Sequence, residues 1–117
     1  MAFDLNDKIF ISQTNTENGE VSSETIFHYH QNEELIWAEY SGGIIKKGSL
    51  IGKVLEPQEI EFNYQHISVN GELRAGYCKS TIVQKDGRIV LKENWQWFTG
   101  DQSKGYSELI EKVGEVK

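Results

Sequence analysis

Residues Glu59–Val83, EIEFNYQHISVNGELRAGYCKSTIV, have the pattern of two strands joined by a tight turn. In Glu59–Val69, apolar or aromatic residues alternate with polar ones, which is the period of a strand that buries one face. Asn70-Gly71 is the dipeptide that most strongly favours a short hairpin turn, and Glu72–Val83 is the returning strand. The face that we expect to point to the interior carries Ile60, Phe62, Tyr64 and His66.

Strand-like segments of this kind continue in both directions along the chain, separated by turn signals such as Gly42-Gly43 and Lys85-Asp86-Gly87. The predicted strands are Lys8–Thr14, Glu20–Gln31, Glu34–Ser41, Ile44–Val54, Glu59–Val69, Glu72–Val83, Arg88–Phe98 and Tyr106–Val113. The last of these fits a short helix as well as a strand. Because closing such a meander into a barrel removes its exposed edges, we predict an all-β protein. It would be one β-barrel domain over residues 1–117, an antiparallel up-and-down meander of about eight strands.

The composition agrees with β structure. The 117 residues include 12 Ile, 7 Val and 5 Thr, which favour strands, and only 3 Ala, the best helix former. The net charge is −6, and no basic cluster is present. We therefore expect neither nucleic acid nor an anionic membrane as a partner, because both require a positively charged surface.

The N-terminal segment and the single cysteine bear on the cellular compartment. Residues 1–8 contain no basic region followed by an apolar one, so no secretory signal is predicted. No apolar run is long enough to span a membrane. Cys78 cannot form an internal disulfide, which is compatible with a reducing cytosol. We expect a cytoplasmic protein in which Cys78 is buried and unreactive.

Arg88–Phe98, RIVLKENWQWF, is the most informative segment for function. Its predicted interior face carries Ile89, Leu91, Glu93, Trp95 and Trp97. Aromatic walls with a few convergent polar groups are typical of a small-ligand site, so we expect non-catalytic binding of a small, partly apolar ligand inside the barrel. Glu93 and His66 would be the polar anchors of this site. The candidate ligand-binding residues are Phe62, Tyr64, His66, Glu93, Trp95 and Trp97.

Two other interpretations are open from the sequence. The first is an enzyme that uses the same cavity, with Glu93 or His66 as general acid or base. The second is a structural or interaction protein with a packed core, in which Glu93 is satisfied by Arg74, His66 or a tyrosine hydroxyl. Association into a homo-oligomer is also open.

The segment His28-Tyr29-His30 places two imidazoles on one strand face, as in some metal sites. A third ligand from His66 or Glu93 would complete a zinc site of the catalytic type. Because such histidine pairs are also common on solvated strand faces, we expect no metal and no cofactor. Both faces of this strand are amphipathic, so the sequence leaves open which one points inward.

Three glycines, Gly48, Gly52 and Gly76, occur within strand-like segments. Glycine in a strand often marks a bend or the close approach of another group. Because the wall of a barrel must bend, we expect these three glycines to lie at corners.

Five segments together resemble a small bacterial family that often carries the name N-acetylglutamate synthase. They are Thr16-Glu17-Asn18-Gly19, Tyr40-Ser41-Gly42-Gly43, Gly48–Gly52, Glu93–Trp97 and Gly100–Gly105. The resemblance covers nearly the whole chain, and it implies a small avidin-like or lipocalin-like β-barrel. It implies no catalytic residue.

The enzymatic activity in that family name has no counterpart in the residues. Enzymes that use acetyl-CoA usually hold its pyrophosphate on a Gly-rich turn at a helix N-terminus. In this sequence Gly42-Gly43 joins two predicted strands, and no helix follows it. The sequence therefore favours ligand binding over N-acetylglutamate synthase activity.

Overall fold

The computed structural model describes residues 3–17, 19–56 and 58–112. These residues form the antiparallel strands β1 (Lys8–Asn15), β2 (Ile26–Asn32), β3 (Leu35–Gly42), β4 (Ile45–Glu56), β5 (Glu59–Ser68), β6 (Leu73–Lys85), β7 (Arg88–Trp97) and β8 (Lys104–Glu111). Each strand pairs with the next along the chain, and β8 pairs with β1, so the sheet closes into a barrel. The predicted all-β up-and-down barrel is confirmed.

β2 begins at Ile26, not at Glu20 as predicted. The residues before it form a turn, in which the Thr25 amide donates to the Ser22 carbonyl at 2.9 Å. The Thr25 hydroxyl donates to the Gly42 carbonyl at 3.1 Å, which ties this turn to the end of β3. Ser and Thr side chains that bond to nearby backbone groups compete with strand pairing. The segment around Glu20 therefore lies in a loop.

The last predicted element, Tyr106–Val113, is a strand and not a helix. β8 is hydrogen-bonded to β7 on one side and to β1 on the other. A helix would satisfy its backbone groups internally and would leave both neighbouring edges unpaired. Val113 lies outside the described residues. Within the described ranges, no helix is long and apolar enough to cross a membrane.

The interior faces of β5 and β7 agree with the predicted registers. β5 buries Ile60, Phe62 and His66, and Tyr64 is partly buried on the same face. The buried residues of the predicted β7 face are Ile89, Leu91, Glu93, Trp95 and Trp97. Because side chains alternate along a strand, these two strands supply most of the predicted site.

The inward face of β2, which the sequence left open, carries Phe27 and Tyr29. Both are buried, and Phe27 stacks on Tyr40 of β3 with ring centroids 4.7 Å apart. His28 and His30 consequently point out of the barrel and are partly exposed. The face with the aromatic rings points inward because burying these rings removes more apolar area from water than burying the imidazoles would.

The two ends of the barrel differ. At one end the N-terminal segment packs across the opening, with Leu5 fully buried. The Asp7 amide donates to the Tyr29 carbonyl at 2.8 Å, and this bond holds the segment in place. The opposite end carries the loops that follow β1, β3, β5 and β7, and a cavity opens there.

Glycines on the described strands lie directly across from interior aromatic rings. The register pairs are Tyr40 with Gly48, Phe62 with Gly52, Tyr64 with Gly76, and Trp95 with Gly105. A Cβ atom at Gly48 would collide with the Tyr40 ring, and one at Gly105 would collide with the Trp95 ring. At Gly48, Gly76 and Gly105 glycine is therefore required because a ring from the neighbouring strand occupies the space of a side chain. At Gly52 the Glu61 carbonyl and the backbone of Phe62 occupy that space.

The expectation that these glycines lie at corners is not supported at Gly52 and Gly76. The pairing of β4 with β5 is irregular between Ile45 and Lys47 and again near its far end. Gly48 borders an irregular stretch of β4, because the pairing with β3 also shifts, between Tyr40 and Gly42, the partners of Gly48 and Ile45. Pairing is regular at Gly52 and Gly76. Close approach of the neighbouring strand explains these glycines, through an aromatic ring at Gly48 and Gly76 and through the backbone at Gly52.

Candidate functional site

A cavity of about 40 Å³ opens at the loop-rich end of the barrel. This is room for a few water molecules. Its wall includes all of the sequence-predicted site residues, Phe62, Tyr64, His66, Glu93, Trp95 and Trp97. They come from two strands, β5 and β7, which are separated by β6 in the barrel wall.

Glu93 lies on the wall of this cavity and is only 7% exposed. Its Oε1 accepts a hydrogen bond from the Ser107 hydroxyl at 3.0 Å. Burial raises the pKa of Glu93 to about 8, although the Ser107 hydrogen bond acts in the opposite direction. The carboxyl is therefore mostly neutral at pH 7, and it can both donate and accept a hydrogen bond.

The partner of Glu93 differs from the sequence-based alternatives. Arg74, His66 and a tyrosine hydroxyl were each candidates, but the structure supplies Ser107 from β8. Among the described residues, Glu93 forms no ion pair with a cationic side chain. A neutral acid needs no counter-charge, so the raised pKa and the absence of a cation agree with each other.

Two buried hydroxyls belong to the same polar group. Ser80 lies opposite Glu93 in the pairing of β6 with β7, and it is fully buried. The Tyr29 hydroxyl is also buried, and its pKa is raised by burial and by the nearby Glu93 carboxylate. Within the described part of the chain, neither hydroxyl has a hydrogen-bond partner. A buried hydroxyl without a partner costs roughly 1–3 kcal/mol. Neither Tyr29 nor Ser80 is on the cavity wall, so both hydroxyls lie behind it.

The cavity walls are aromatic and mutually packed. Trp95 and Trp97 meet edge to face with ring centroids 5.6 Å apart, and Tyr64 meets Trp97 at 5.5 Å. The Arg74 guanidinium lies over the outer side of this group, 4.0 Å from the Trp97 ring. Rings packed in this way move little, so they form a rigid apolar surface next to the polar group at Glu93.

His66 is less available to a ligand than the sequence suggested. Its Nδ1 lies 3.0 Å from the Tyr40 hydroxyl, and its Nε2 lies 2.8 Å from Oε1 of Glu20. Both ring nitrogens therefore have partners. Glu20 also pairs with Arg74, whose Nε donates to the Thr99 hydroxyl at 2.8 Å. We call this arrangement of Glu20, His66 and Arg74 the mouth network.

The sequence pattern does not identify Glu20 as a site residue, because it predicts a strand over Glu20–Gln31. Glu20 lies instead in the loop between β1 and β2, which contributes Gly19, Glu20 and Val21 to the cavity wall. Its partners His66 and Arg74 are distant in sequence and carry no local signal. The mouth network holds this loop across the open end of the barrel.

Cys78 is buried next to the polar group, as predicted. Burial, and secondarily the Glu93 carboxylate, raises the pKa of its thiol well above the ordinary range. A nucleophilic cysteine requires the opposite, a lowered pKa.

The zinc site considered from the sequence is not formed. His28 and His30 point outward, whereas His66 and Glu93 lie inside the barrel. The proposed third ligands are therefore on the wrong side of the sheet. The acid next to the histidines is Glu39, whose Oε1 lies 2.7 Å from Nε2 of His30.

Comparison with known proteins agrees with this architecture. The model of the family described as avidin-like protein matches residues 3–112. No curated protein matches the chain, and no solved structure does. The family match spans almost the whole sequence, and the eight described strands close in the order expected for such a barrel. The chain belongs to the avidin-like protein family.

Proposed function

We propose that this protein binds a compact, uncharged, partly apolar molecule inside the barrel. The family typically binds small ligands. The observation that carries the proposal is the Glu93 carboxyl on the cavity wall, which has the Ser107 hydroxyl as its one hydrogen-bond partner among the described residues and lies beside an aromatic wall. A ligand with a hydrogen-bonding end and an apolar body would satisfy both surfaces.

The protonation state of Glu93 selects for a neutral ligand. With a pKa of about 8, roughly nine tenths of the carboxyl is protonated at pH 7. A neutral amide, urea or alcohol can bind to this form without any change of charge. A carboxylate ligand would lose its hydration in the cavity, and no Lys or Arg among the described residues lines the wall to compensate its charge.

The volume of the cavity limits the size of the ligand. About 40 Å³ suffices for only a few non-hydrogen atoms. A larger molecule such as biotin, which members of the family bind, would require the loop held by Glu20 to move away from the mouth. We therefore propose compact ligands for the closed barrel.

The test uses nitrogen-15 NMR of the indole N–H groups with a set of compact neutral amides, ureas and alcohols. Trp95 and Trp97 line the cavity, whereas Trp37 lies on the outside and is an internal reference. Neutral compounds should shift the resonances of Trp95 and Trp97, and amines or carboxylates of equal size should not. The proposal is wrong if no neutral compound acts on them, or if Trp37 responds equally.

Variants of Glu93 identify the polar end of the site. Binding to wild type should weaken about tenfold per pH unit above pH 8, where the carboxyl ionises. Glu93→Gln should remove this pH dependence, because an amide resembles the neutral acid. Glu93→Leu should abolish binding, while Glu34→Gln, at an exposed position near the other end of the barrel, should leave it unchanged.

The alternative function is catalysis in the same cavity, and the raised pKa of Glu93 supports it. A carboxylic acid that is protonated near neutral pH is suited to general acid catalysis. Any molecule found to bind should therefore be incubated with wild type and with Glu93→Gln and followed for conversion. Conversion by wild type alone would support an enzyme, and unchanged recovery of the molecule supports simple binding.

A further inference from the structure

A second group of polar side chains lies on the outer face of the barrel, away from the cavity. His28 and His30 project from β2 with ring centroids 4.6 Å apart. Glu39 of β3 is the register partner of His28, and its Oε1 lies 2.7 Å from Nε2 of His30. One ligand atom from each of these three side chains lies within 4.8 Å of the others.

Asp7 adds a second carboxylate to this group. It precedes β1, and its Oδ1 lies 2.8 Å from Nε2 of His28. Each imidazole therefore has its own carboxylate partner. The two carboxylates can supply two negative charges to a metal ion, which one divalent cation would neutralise. The register partners of His28 on β1 and of Glu39 on β4 are Ile9 and Ser49, and neither supplies a positive charge.

The spacing of the donor atoms suits a transition-metal ion. Donor atoms about 2.1 Å from a tetrahedral ion lie about 3.4 Å from one another. The contacts here, from 2.7 Å to 4.8 Å, lie on both sides of that value. His28 and Glu39 are largely at the surface, so small rotations of their side chains would bring the donor atoms to the tetrahedral spacing. His30 is already oriented, because its ring stacks on Trp37 with centroids 5.3 Å apart.

We propose that His28, His30 and Glu39 form a surface site for one divalent transition-metal ion, with zinc as the representative ion and Asp7 as a second carboxylate next to His28. Imidazole and carboxylate donors together suit zinc, nickel and copper(II) rather than calcium or magnesium, which prefer oxygen donors alone. The site lies on the outside of β2 and β3, whereas the ligand cavity lies on the inside. Metal binding here does not depend on the function proposed for the barrel interior.

Isothermal titration of the chelator-treated protein with zinc chloride, in a buffer without phosphate, tests the proposal. Wild type should bind one zinc per chain. His28→Gln, His30→Gln and Glu39→Gln should each weaken binding by at least about tenfold. Glu34→Gln, an exposed acid outside the group, should bind as wild type does. Magnesium chloride in place of zinc should give no comparable binding.

Histidine side-chain NMR identifies the ligands independently of affinity. Zinc should shift the ring resonances of His28 and His30 and leave those of the buried His66 unchanged. His28→Gln and His30→Gln test the same ion. If one of these variants does not fold, the other still tests the proposal. The proposal is overturned by the absence of 1:1 binding, or by equal binding to wild type and to whichever of these two variants folds.

Discussion

Ser107 of β8 lies opposite Glu93 of β7, and its hydroxyl donates to the Glu93 carboxyl at 3.0 Å. Among the described residues, this neutral hydroxyl is the one hydrogen-bond partner of the buried Glu93 carboxyl. A hydroxyl stabilises the ionised carboxyl less than a cation would, so burial decides the pKa. The acid is consequently kept protonated at a pH where an exposed glutamate would be ionised.

The first prediction concerns stability and pH. The pKa of Glu93 is about 8 in the folded protein and 4.5 ordinarily, so the folded state binds the proton more tightly than the unfolded state. The contribution of Glu93 to stability is full below about pH 4.5 and is lost as pH rises towards 8, by roughly 1.4 kcal/mol per unit. Urea unfolding at pH 5 and pH 8 should show that Glu93→Gln gains stability relative to wild type at the higher pH. An equal difference at both values would contradict the assignment.

The second prediction compares two interior tyrosines. The Tyr29 hydroxyl has no partner among the described residues, whereas the Tyr40 hydroxyl contacts His66 and donates to the Gln65 carbonyl at 3.1 Å. Tyr40→Phe should therefore lower the free energy of unfolding by about 1–3 kcal/mol. Tyr29→Phe should leave it within about 1 kcal/mol of wild type or raise it. Denaturant unfolding measures both, and equal losses would mean that Tyr29 has a hydrogen bond.

The third prediction concerns the loop at the mouth. Glu20→Ala removes the contacts with His66 and Arg74 that hold this loop. Hydrogen exchange should become about tenfold faster at the Gly19 and Thr25 amides, which are bonded within the loop. Tenfold corresponds to ~1.4 kcal/mol of local stability, a modest value for charge-assisted hydrogen bonds.

A matched control for the loop variant is Glu17→Ala, because Glu17 lies in the same loop, is exposed and is outside the mouth network. It should leave both amides as protected as in wild type. Acceleration by both variants would show that the loop depends on its general charge rather than on the mouth network.

The fourth prediction concerns the space above a glycine. A methyl group at Gly48 would overlap the Tyr40 ring and crowd the Cβ of His66, at 2.8 Å. Gly48→Ala should therefore destabilise the barrel by about 1–3 kcal/mol, as overpacking does. Ser49→Ala, at the next and outward-facing position, should change stability by less than about 0.5 kcal/mol. Thermal or urea unfolding gives both values, and a neutral Gly48→Ala would show that the ring can move.

The barrel and its inward face were largely predictable where the period of two is clear. In β7 only one register buries both Trp95 and Trp97, and that register also carries Glu93 inside. The pattern of β2 does not show which face points inward, because Phe27 and Tyr29 lie on one face and Ile26 and two histidines lie on the other. Its register is settled by packing against Tyr40, a contact that no local pattern contains.

The missed parts of the candidate site depend on contacts between distant segments. Ser80 and Ser107 are ordinary strand residues in sequence, and only the register with β7 places them beside Glu93. Glu20 acquires its role from His66, 46 positions away. Short polar residues carry no periodic signal of their own. The sequence pattern therefore predicts the aromatic wall of the cavity but not the hydroxyls next to Glu93.

Each interior ring that packs over a glycine on a neighbouring strand restricts how the sequence of the barrel interior can change during evolution. Shortening Trp95 alone would uncover Gly105, and enlarging Gly105 alone would displace Trp95. Neither single substitution gives a well-packed wall, whereas Trp95→Leu with Gly105→Ala exchanges volume between the strands. We expect barrels of this kind that accept different molecules to differ at both members of a pair, so that selectivity is remodelled in two-residue steps.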